Sequence, residues 1–544
     1  MPDYTPPLDA LTLLLSHVTP LSRLGRDDLD EGMVTAILEE AGKLASGVLA
    51  PLNFTGDQEG ARWDDGNVTT ASGFREAYRL YREGGWNAVP FDPAYGGGGL
   101  PWLLSFPIQE MWQSANMSFG LCPLLNQGAV EAIFYHGTQS QKDYYLPKLI
   151  SGEWTGTMNL TEPQAGSDIA LVRTKATAHG DGTYRISGQK IFITYGEHDL
   201  AANIIHLVLA RLPDAPEGVK GISLFIVPKF LEDGTRNDVT CVSLEHKLGI
   251  HASPTCTMQF GDRGGAVGYL VGELHQGLKY MFTMMNNARL SVGLQGVAIA
   301  ERAFQAARAY AADRQQGKPL TGGALVTIDK HPDVRRMLDM MESLTLAGRA
   351  LAYEAALHLD LAKAGDAQAQ ARVDILTPIV KGWCTDNAVE VASLGVQVHG
   401  GMGFIEETGA AQFYRDARIL PIYEGTNGIQ AADLVFRKVQ RDGGVAFAQW
   451  VKSMKEDETV LPADVVEALQ GLEKCGQHVA GLTAKPDSAA DISISFLTLC
   501  GVVAGGVMLA RITQADPQKE RVTGCYVRHV LPRYLGFTQT ILRA

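Results

Sequence analysis

Three strings in this chain set residues able to do chemistry at close spacing. In RDARILPIYEGTNGIQAADLVFRK (415–438), Glu424 sits at the end of an extended, apolar approach of Ile419, Leu420, Ile422 and Tyr423 and precedes Gly425 and Thr426. Glycine permits a sharp turn, and threonine is a good N-cap for the predicted helix GIQAADLVFRK. A carboxylate beside apolar neighbours is poised as a general base, because desolvation favours its neutral form. The dipole of the following helix works the other way. The same spacing also fits a plain helix-start acid.

The second string, TMNLTEPQAGSD (157–168), combines small and hydroxyl residues with a proline and a Gly–Ser–Asp turn. Such a loop offers backbone N–H groups and hydroxyls to a flat polar ligand, or is simply a turn between domains. In the third, GQKIFITYG (188–196), Phe192 on a strand suits contact with an aromatic ring system, and Thr194 supplies a hydroxyl. A strand aromatic also fits an ordinary core. His246, His251 and His399 have no Cys/His/carboxylate cluster at ligand spacing and read as core or turn residues, so no metal is expected. No strand–GxGxxG–helix unit occurs, so a nicotinamide cofactor is not supported.

The elements that must position these strings follow from pattern. The first thirty or so residues read as an arm. From Met33, apolar positions Val34, Ile37, Leu38, Ala41, Leu44, Ala45 and Val48 repeat at helical spacing, and further helices follow around the glycine-rich turn Gly96–Gly99. Near Thr155 the character changes: TYRISGQKIFITYG alternates, and IIHLVLARLP and GISLFIVPKF are compact β-rich runs, continuing to about Gly272. Helices resume after Leu278, with long patterns to about Arg314, over 333–363 and over 372–395. The predicted divisions are an arm (1–32), a helical domain (33–155), a β-barrel domain (156–275), a helical bundle (276–440) and a C-terminal helical extension (441–544).

Bulk properties narrow the function. The 544 residues exceed one core, and a formal charge of 47 − 60 = −13 argues against nucleic acid and anionic membrane as partners. Seven scattered cysteines without a CxxC suit a reducing, cytoplasmic setting. The apolar run Leu11–Leu15 has Asp3 and Asp9 upstream in place of a basic n-region, so no targeting segment is expected. The uncharged stretch 492–510 is nearly membrane-spanning in length, but its serines, threonine and glycines read as a buried helix, with membrane-surface or partner contact as the other reading. No transmembrane segment is expected.

Taken in order, the three strings resemble the acyl-CoA dehydrogenase family, supported by NNARLSVGLQG (286–296), DRQQGKPL (313–320) and VQVHGGMGF (396–404). The resemblance covers about 35–440. It implies an α+β multidomain fold with a helical N-terminal domain, a central β-barrel, a four-helix bundle and, here, an extra helical domain. It implies FAD as cofactor and α,β-dehydrogenation of an acyl-CoA, with electrons passing to electron-transfer flavoprotein. Glu424 occupies the position of the catalytic base in one large branch. Met158, Leu160, Thr161, Gly166 and Ser167 match the loop that holds the flavin, Ser167 lying also near the acyl-CoA. Phe192, Ile193 and Thr194 match the strand that stacks on the isoalloxazine. Arg314, Gln397, Gly400 and Gly401 match positions reaching the FAD of a neighbouring subunit, and Thr426 and Gly428 match contacts near the pyrophosphate. Asn286 and Arg289 match the helix that meets CoA, and Gly425 adjoins the substrate.

Two departures concern the inter-subunit contacts. Gln315, Gln316 and Gly317 follow Arg314 where the family often has an aromatic, and Gly428 stands where glutamine is common. MPDYTPPLDALTLLL, LTPIVKGW (376–383) and the extended C-terminus resemble the branch that includes 3-(methylthio)propanoyl-CoA dehydrogenase, and imply a homodimer. Acyl groups from that thioether compound to short, medium or long fatty chains all fit the resemblance. An acyl-CoA oxidase using dioxygen and a non-catalytic family member are the competing readings.

Overall fold

A computed structural model describes residues 3–456 and 461–544. The chain forms two compact units, Gly47–Leu100 with Asn116–Ala288, and Met1–Ser46 with Pro101–Ala115 and Arg289–Ala544.

The first of these units is built on a β-barrel. After a hairpin of β1 (Arg62–Asp64) and β2 (Asn67–Thr69) come β3 (Trp154–Asn159), β4 (Lys175–His179), β5 (Thr183–Thr194), β6 (Asn203–Arg211), β7 (Ile222–Pro228), β8 (Val239–Leu244), β9 (Thr255–Phe260) and β10 (Ala266–Leu270). The order β10-β7-β6-β4-β5-β9-β8 is closed by a second pairing of β10 with β5, while β3 lies parallel to β6. The pairing closes a ring of β10, β7, β6, β4 and β5 and gives each of these strands two neighbours, while β9 and β8 continue from β5. Ile186, Ile193, Val208, Phe225, Val227, Met258 and Phe260 fill the interior. The helix Met117–His136 packs on β3 so closely that a Cβ on Gly156 would stand 2.2 Å from that of Ala129.

The second unit is helical. Its main members are Glu31–Leu44, Trp102–Ala115, the long helix Gly277–Asp313 from Arg289 onward, Pro332–Lys363, Ala367–His399 and Ser493–Ala515. Asp30 caps the first, accepting from the Met33 N–H at 2.7 Å. Gly293 and Gly296 let the long helix approach Ala367–His399 until a Cβ on either would lie 2.5 Å from that helix. A buried cluster ties three helices together: Arg349 donates to Glu110 and Glu301, and Tyr353 to Glu110.

The N-terminal segment read as an arm contains a helix of its own, Leu8–Leu13, continued in a wider turn through Val18. Leu11, Leu14 and Leu15 are buried, and the Thr5 backbone exchanges two hydrogen bonds with Gln305. The run that lacked a basic n-region is thus core packing. Ser493–Ala515 is long and apolar enough to cross a membrane by composition, yet 83% of its apolar window is buried inside the protein. Its small residues explain why: Trp383 lies across Gly501 and Gly505, where added Cβ atoms would stand 2.2 and 2.6 Å from the indole. Gly501→Val should therefore cost about 1–3 kcal/mol or more by overpacking. The check is a lowered thermal midpoint, and an unchanged one would refute this packing account.

Candidate active site

Glu424 sits at the tip of a tight loop between the helices Ala410–Ala417 and Asn427–Ala432. The apolar approach is coiled rather than extended. Successive turns run through it, with Leu420 N–H donating to Ala417, and Ile422 and Tyr423 N–H to Ile419. A helix ending at Ala417 and the fixed φ of Pro421 favour this winding over a strand. Glu424 and Gly425 both take left-handed backbone, φ +54° and +84°. For glutamate that conformation is strained, and the surroundings must hold it.

Those restraints are visible. Thr426 caps the next helix, accepting from the Ile429 N–H at 3.2 Å, as its residue type predicts. Gln430 donates to the carbonyls of Glu424 and Gly425 at 3.4 and 3.3 Å. A Cβ on Gly425 would lie 2.8 Å from the Gln430 amide, so glycine is required twice over, by φ and by space. Tyr423 donates to Gln295, fixing the side preceding Glu424 to the long helix.

Asn427 anchors the other side. Its amide donates to the Gly382 carbonyl, Thr385 Oγ1 and Asp386 Oδ1 at 2.8–3.0 Å, and its oxygen accepts from Lys381 Nζ at 2.9 Å.

The electrostatics suit a base. Glu424 is half-buried, and burial pushes its carboxyl above the ordinary range, while Arg289 and Lys381 pull it down. Burial lowers the Lys381 ammonium to about 7 against the supporting charges of Glu424 and Asp386, with Arg289 adding to the fall. Burial likewise lowers Arg289.

In the barrel unit the loop and strand strings come together. The Ile191 N–H donates to the Thr161 carbonyl, Thr157 Oγ1 to the Thr194 carbonyl, and Lys190 Nζ to the Leu160 carbonyl and to Glu162. Against the raising effect of burial, the Lys190 charge holds the Glu162 carboxyl down at about 2. The pairing of β5 with β9 shifts register between Lys190 and Ile193. Phe192 lies in that irregularity at φ +60°, 59% exposed. The side chains of Met158 and Ile193 are buried, those of Thr161 and Thr194 partly so, and Gly166 and Ser167 lie on the exposed turn.

Other candidates gather at one end of the helical unit. Tyr310, one turn before Arg314, stacks at 4.4 Å on His399, the residue that precedes Gly400 and Gly401. Arg314, Gln397, Gly400 and Gly401 are exposed, and so is Gly428. Asn286 is exposed on the opening turns of the long helix, beyond a cavity of about 620 Å³ whose walls include Lys220, His275, Leu278, Lys279 and Phe282.

Three family models match the chain: acyl-CoA dehydrogenase N-terminal domain over 36–153, middle domain over 157–263 and C-terminal domain over 275–438. The chain belongs to the acyl-CoA dehydrogenase family. Among relatives, it is 50% identical to 3-methylmercaptopropionyl-CoA dehydrogenase of Ruegeria pomeroyi, over 93% of this chain and 90% of that one. It is 39% identical to a butyryl-CoA dehydrogenase of Syntrophomonas wolfei, over 79% and 73%. The fold matches the acyl-CoA dehydrogenase from Bacillus anthracis complexed with FAD, at TM-score 0.78 and 22% identity, over 95% and 89%.

Sequence reading missed Lys381, Asn427 and Gln295 as site residues. The available signal for Lys381 was a lone cation in the apolar run LTPIVKGW, where a buried lysine demands a partner. If Glu424 must be ionised to act, activity should rise with pH through its raised pKa. The acid limb of kcat/KM against pH should then lie above the ordinary carboxylate range. A limb at or below pH 4 would contradict the desolvated site.

Proposed function

We propose that this protein catalyses FAD-dependent α,β-dehydrogenation of an acyl-CoA thioester to the trans-2-enoyl-CoA. The observation that carries it is the half-buried carboxyl of Glu424, held on strained backbone at a loop tip within reach of the charges of Arg289 and Lys381, in a member of this family.

The residues present fit FAD. Phe192 is a large aromatic held outward on left-handed backbone beside the 158–167 loop, which is what ring stacking needs. Gly166, Gly400 and Gly401 have open space where a Cβ would stand, leaving backbone free to approach a ligand. Met158, Leu160, Thr161, Gly166, Ser167 and Phe192 to Thr194 would hold it, with Thr426 and Gly428 toward the pyrophosphate. When bound, FAD supplies the acceptor for the hydride leaving the substrate β-carbon.

The chain's own part is proton chemistry and orientation. Glu424 takes the α-proton, and its backbone N–H donates to the thioester carbonyl, stabilising the developing enolate charge. Desolvation makes the carboxylate a stronger base toward carbon. Lys220 and Lys279 on the wall of that cavity supply positive charge suited to CoA phosphates, and Asn286 lies further along the helix that carries Lys279.

The Ruegeria relative supports 3-methylmercaptopropionyl-CoA as substrate, with fatty acyl groups as the broader class. Exposed Met402 and Ile405, with Phe404 85% exposed, adjoin Gly400 and Gly401, which supports a homodimer sharing FAD sites across this end. Electron-transfer flavoprotein is the expected acceptor, and the buried thiols suit a cytoplasmic protein. The proposed divisions remain 33–155, 156–275, 276–440 and 441–544, after the N-terminal 1–32.

Glu424→Gln should purify yellow with FAD bound and lose at least about a thousand-fold in kcat. Substantial residual turnover would refute the assignment. Wild-type protein reduced anaerobically with CoA esters of graded length, including the methylthio compound, should bleach fastest with its own substrate. Reoxidation by electron-transfer flavoprotein rather than dioxygen identifies a dehydrogenase, and rapid reoxidation by dioxygen an oxidase.

A further inference from the structure

Lys381 is fully buried on the helix Ala367–His399, in a run that is otherwise apolar from Leu376 to Trp383 apart from Thr377. A buried ammonium is costly unless it serves or is served by a partner. Its Nζ donates to Asn427, three residues beyond Glu424 and the first residue of the helix that closes the loop. Asn427 is in turn held by Gly382, Thr385 and Asp386 of the same helix. The strained Glu424–Gly425 turn is therefore clamped on its C-terminal side to one patch of one helix.

We infer that Lys381 is a positioning residue for Glu424, fixing the loop through Asn427 and, in its protonated form, placing a positive charge that keeps the carboxylate ready to accept a proton. This rests on Glu424 being the base. The charged groups around the pair are Glu424, Asp386 and Arg289, with Arg418 acting on Asp386 and with Asp433 and Arg437 acting on Arg289. Arg289 comes from a different helix, so the two cations approach Glu424 from separate elements. A purely structural lysine would stabilise the helix packing without altering the proton affinity of a residue forty-three positions away.

The arrangement is braced from behind. Gly382, next to Lys381, is faced by Leu497, and Trp383 by Gly501 and Gly505, all on the helix Ser493–Ala515, which also packs on Asn427–Ala432. The C-terminal extension thus supports both halves of the clamp.

The test compares Lys381→Met, which keeps chain length without charge, with Lys381→Arg and wild type. In Lys381→Met the acid limb of kcat/KM should move up by about one pH unit, with activity on the acid side of the limb down about ten-fold and KM within about two-fold. Lys381→Arg should return the limb toward wild type. A folded, FAD-loaded Lys381→Met with a wild-type limb overturns the inference. Should that variant not fold, Asn427→Ala keeps the charge and releases the clamp. It should lose about ten- to a hundred-fold in kcat, and wild-type kcat there would overturn the positioning role. Glu424→Gln assayed alongside separates the two ideas: if it stays active, the base assignment has failed rather than the role of Lys381.

Discussion

A carboxylate withdrawn from water gains base strength but must be kept from simply staying protonated, and the site around Glu424 is arranged around that conflict. Burial raises its pKa, and Arg289 and Lys381 oppose the rise. Neither effect alone serves proton abstraction from carbon. An unopposed desolvated glutamate would be neutral at working pH, and an ion-paired one would be a weak base. No direct salt bridge to Glu424 is needed for this balance; cations placed nearby act through charge while the carboxyl keeps its lone pairs for substrate.

The backbone carries the same logic. Two consecutive left-handed residues, Glu424 and Gly425, turn the chain sharply enough to present a carboxylate at a loop tip. Strain of this kind, of order 1–3 kcal/mol for a non-glycine residue, persists only when neighbours over-determine the conformation. Thr426, Asn427 and Gln430 do so from one side and Tyr423 from the other. Phe192 repeats the device in the barrel: a β-irregularity and a positive φ hold outward a ring that alternation would otherwise turn into the core. Positive φ also occurs at Asp65, Tyr195, Ile250 and His275, so strained backbone alone marks no site; at Glu424 and Phe192 it coincides with where chemistry and cofactor stacking would require it.

Much of this was legible beforehand, unevenly and for physical reasons. Long periodic helices announced themselves, so that the patterns over 333–363 and 372–395 correspond to Pro332–Lys363 and Ala367–His399. Pro378 did not break the second, because its neighbours Thr377 and Ile379 are buried against other helices and tertiary packing outweighs the local cost. Thr426 as a cap was readable because capping is local. The approach to Glu424 was misread as extended, since short apolar runs carry no reliable period and the turns at Ile419 and Pro421 depend on where the previous helix stops. Asn427, Lys381 and Gln295 escaped because they act across 41 to 128 positions of chain, a separation that single-sequence patterns do not encode.

The C-terminal helix shows how far composition alone can mislead. A 23-residue helix whose 18-residue apolar window has mean hydropathy 2.0 meets the length and polarity of a membrane span, yet glycines at 501, 505 and 506 make little sense facing lipid tails and good sense beneath Trp383 and Tyr526. A helix buried on all sides must be apolar all round, so high hydropathy without a polar face is the expected pattern for the innermost element of an all-helical layer. Its placement also gives the extension a physical role. By covering Gly382, Trp383 and Asn427–Ala432, it removes water from the back of the segment that holds Glu424, and a lower local dielectric strengthens every charge interaction acting on that carboxyl. The C-terminal helices and Glu424 are thereby parts of one electrostatic arrangement.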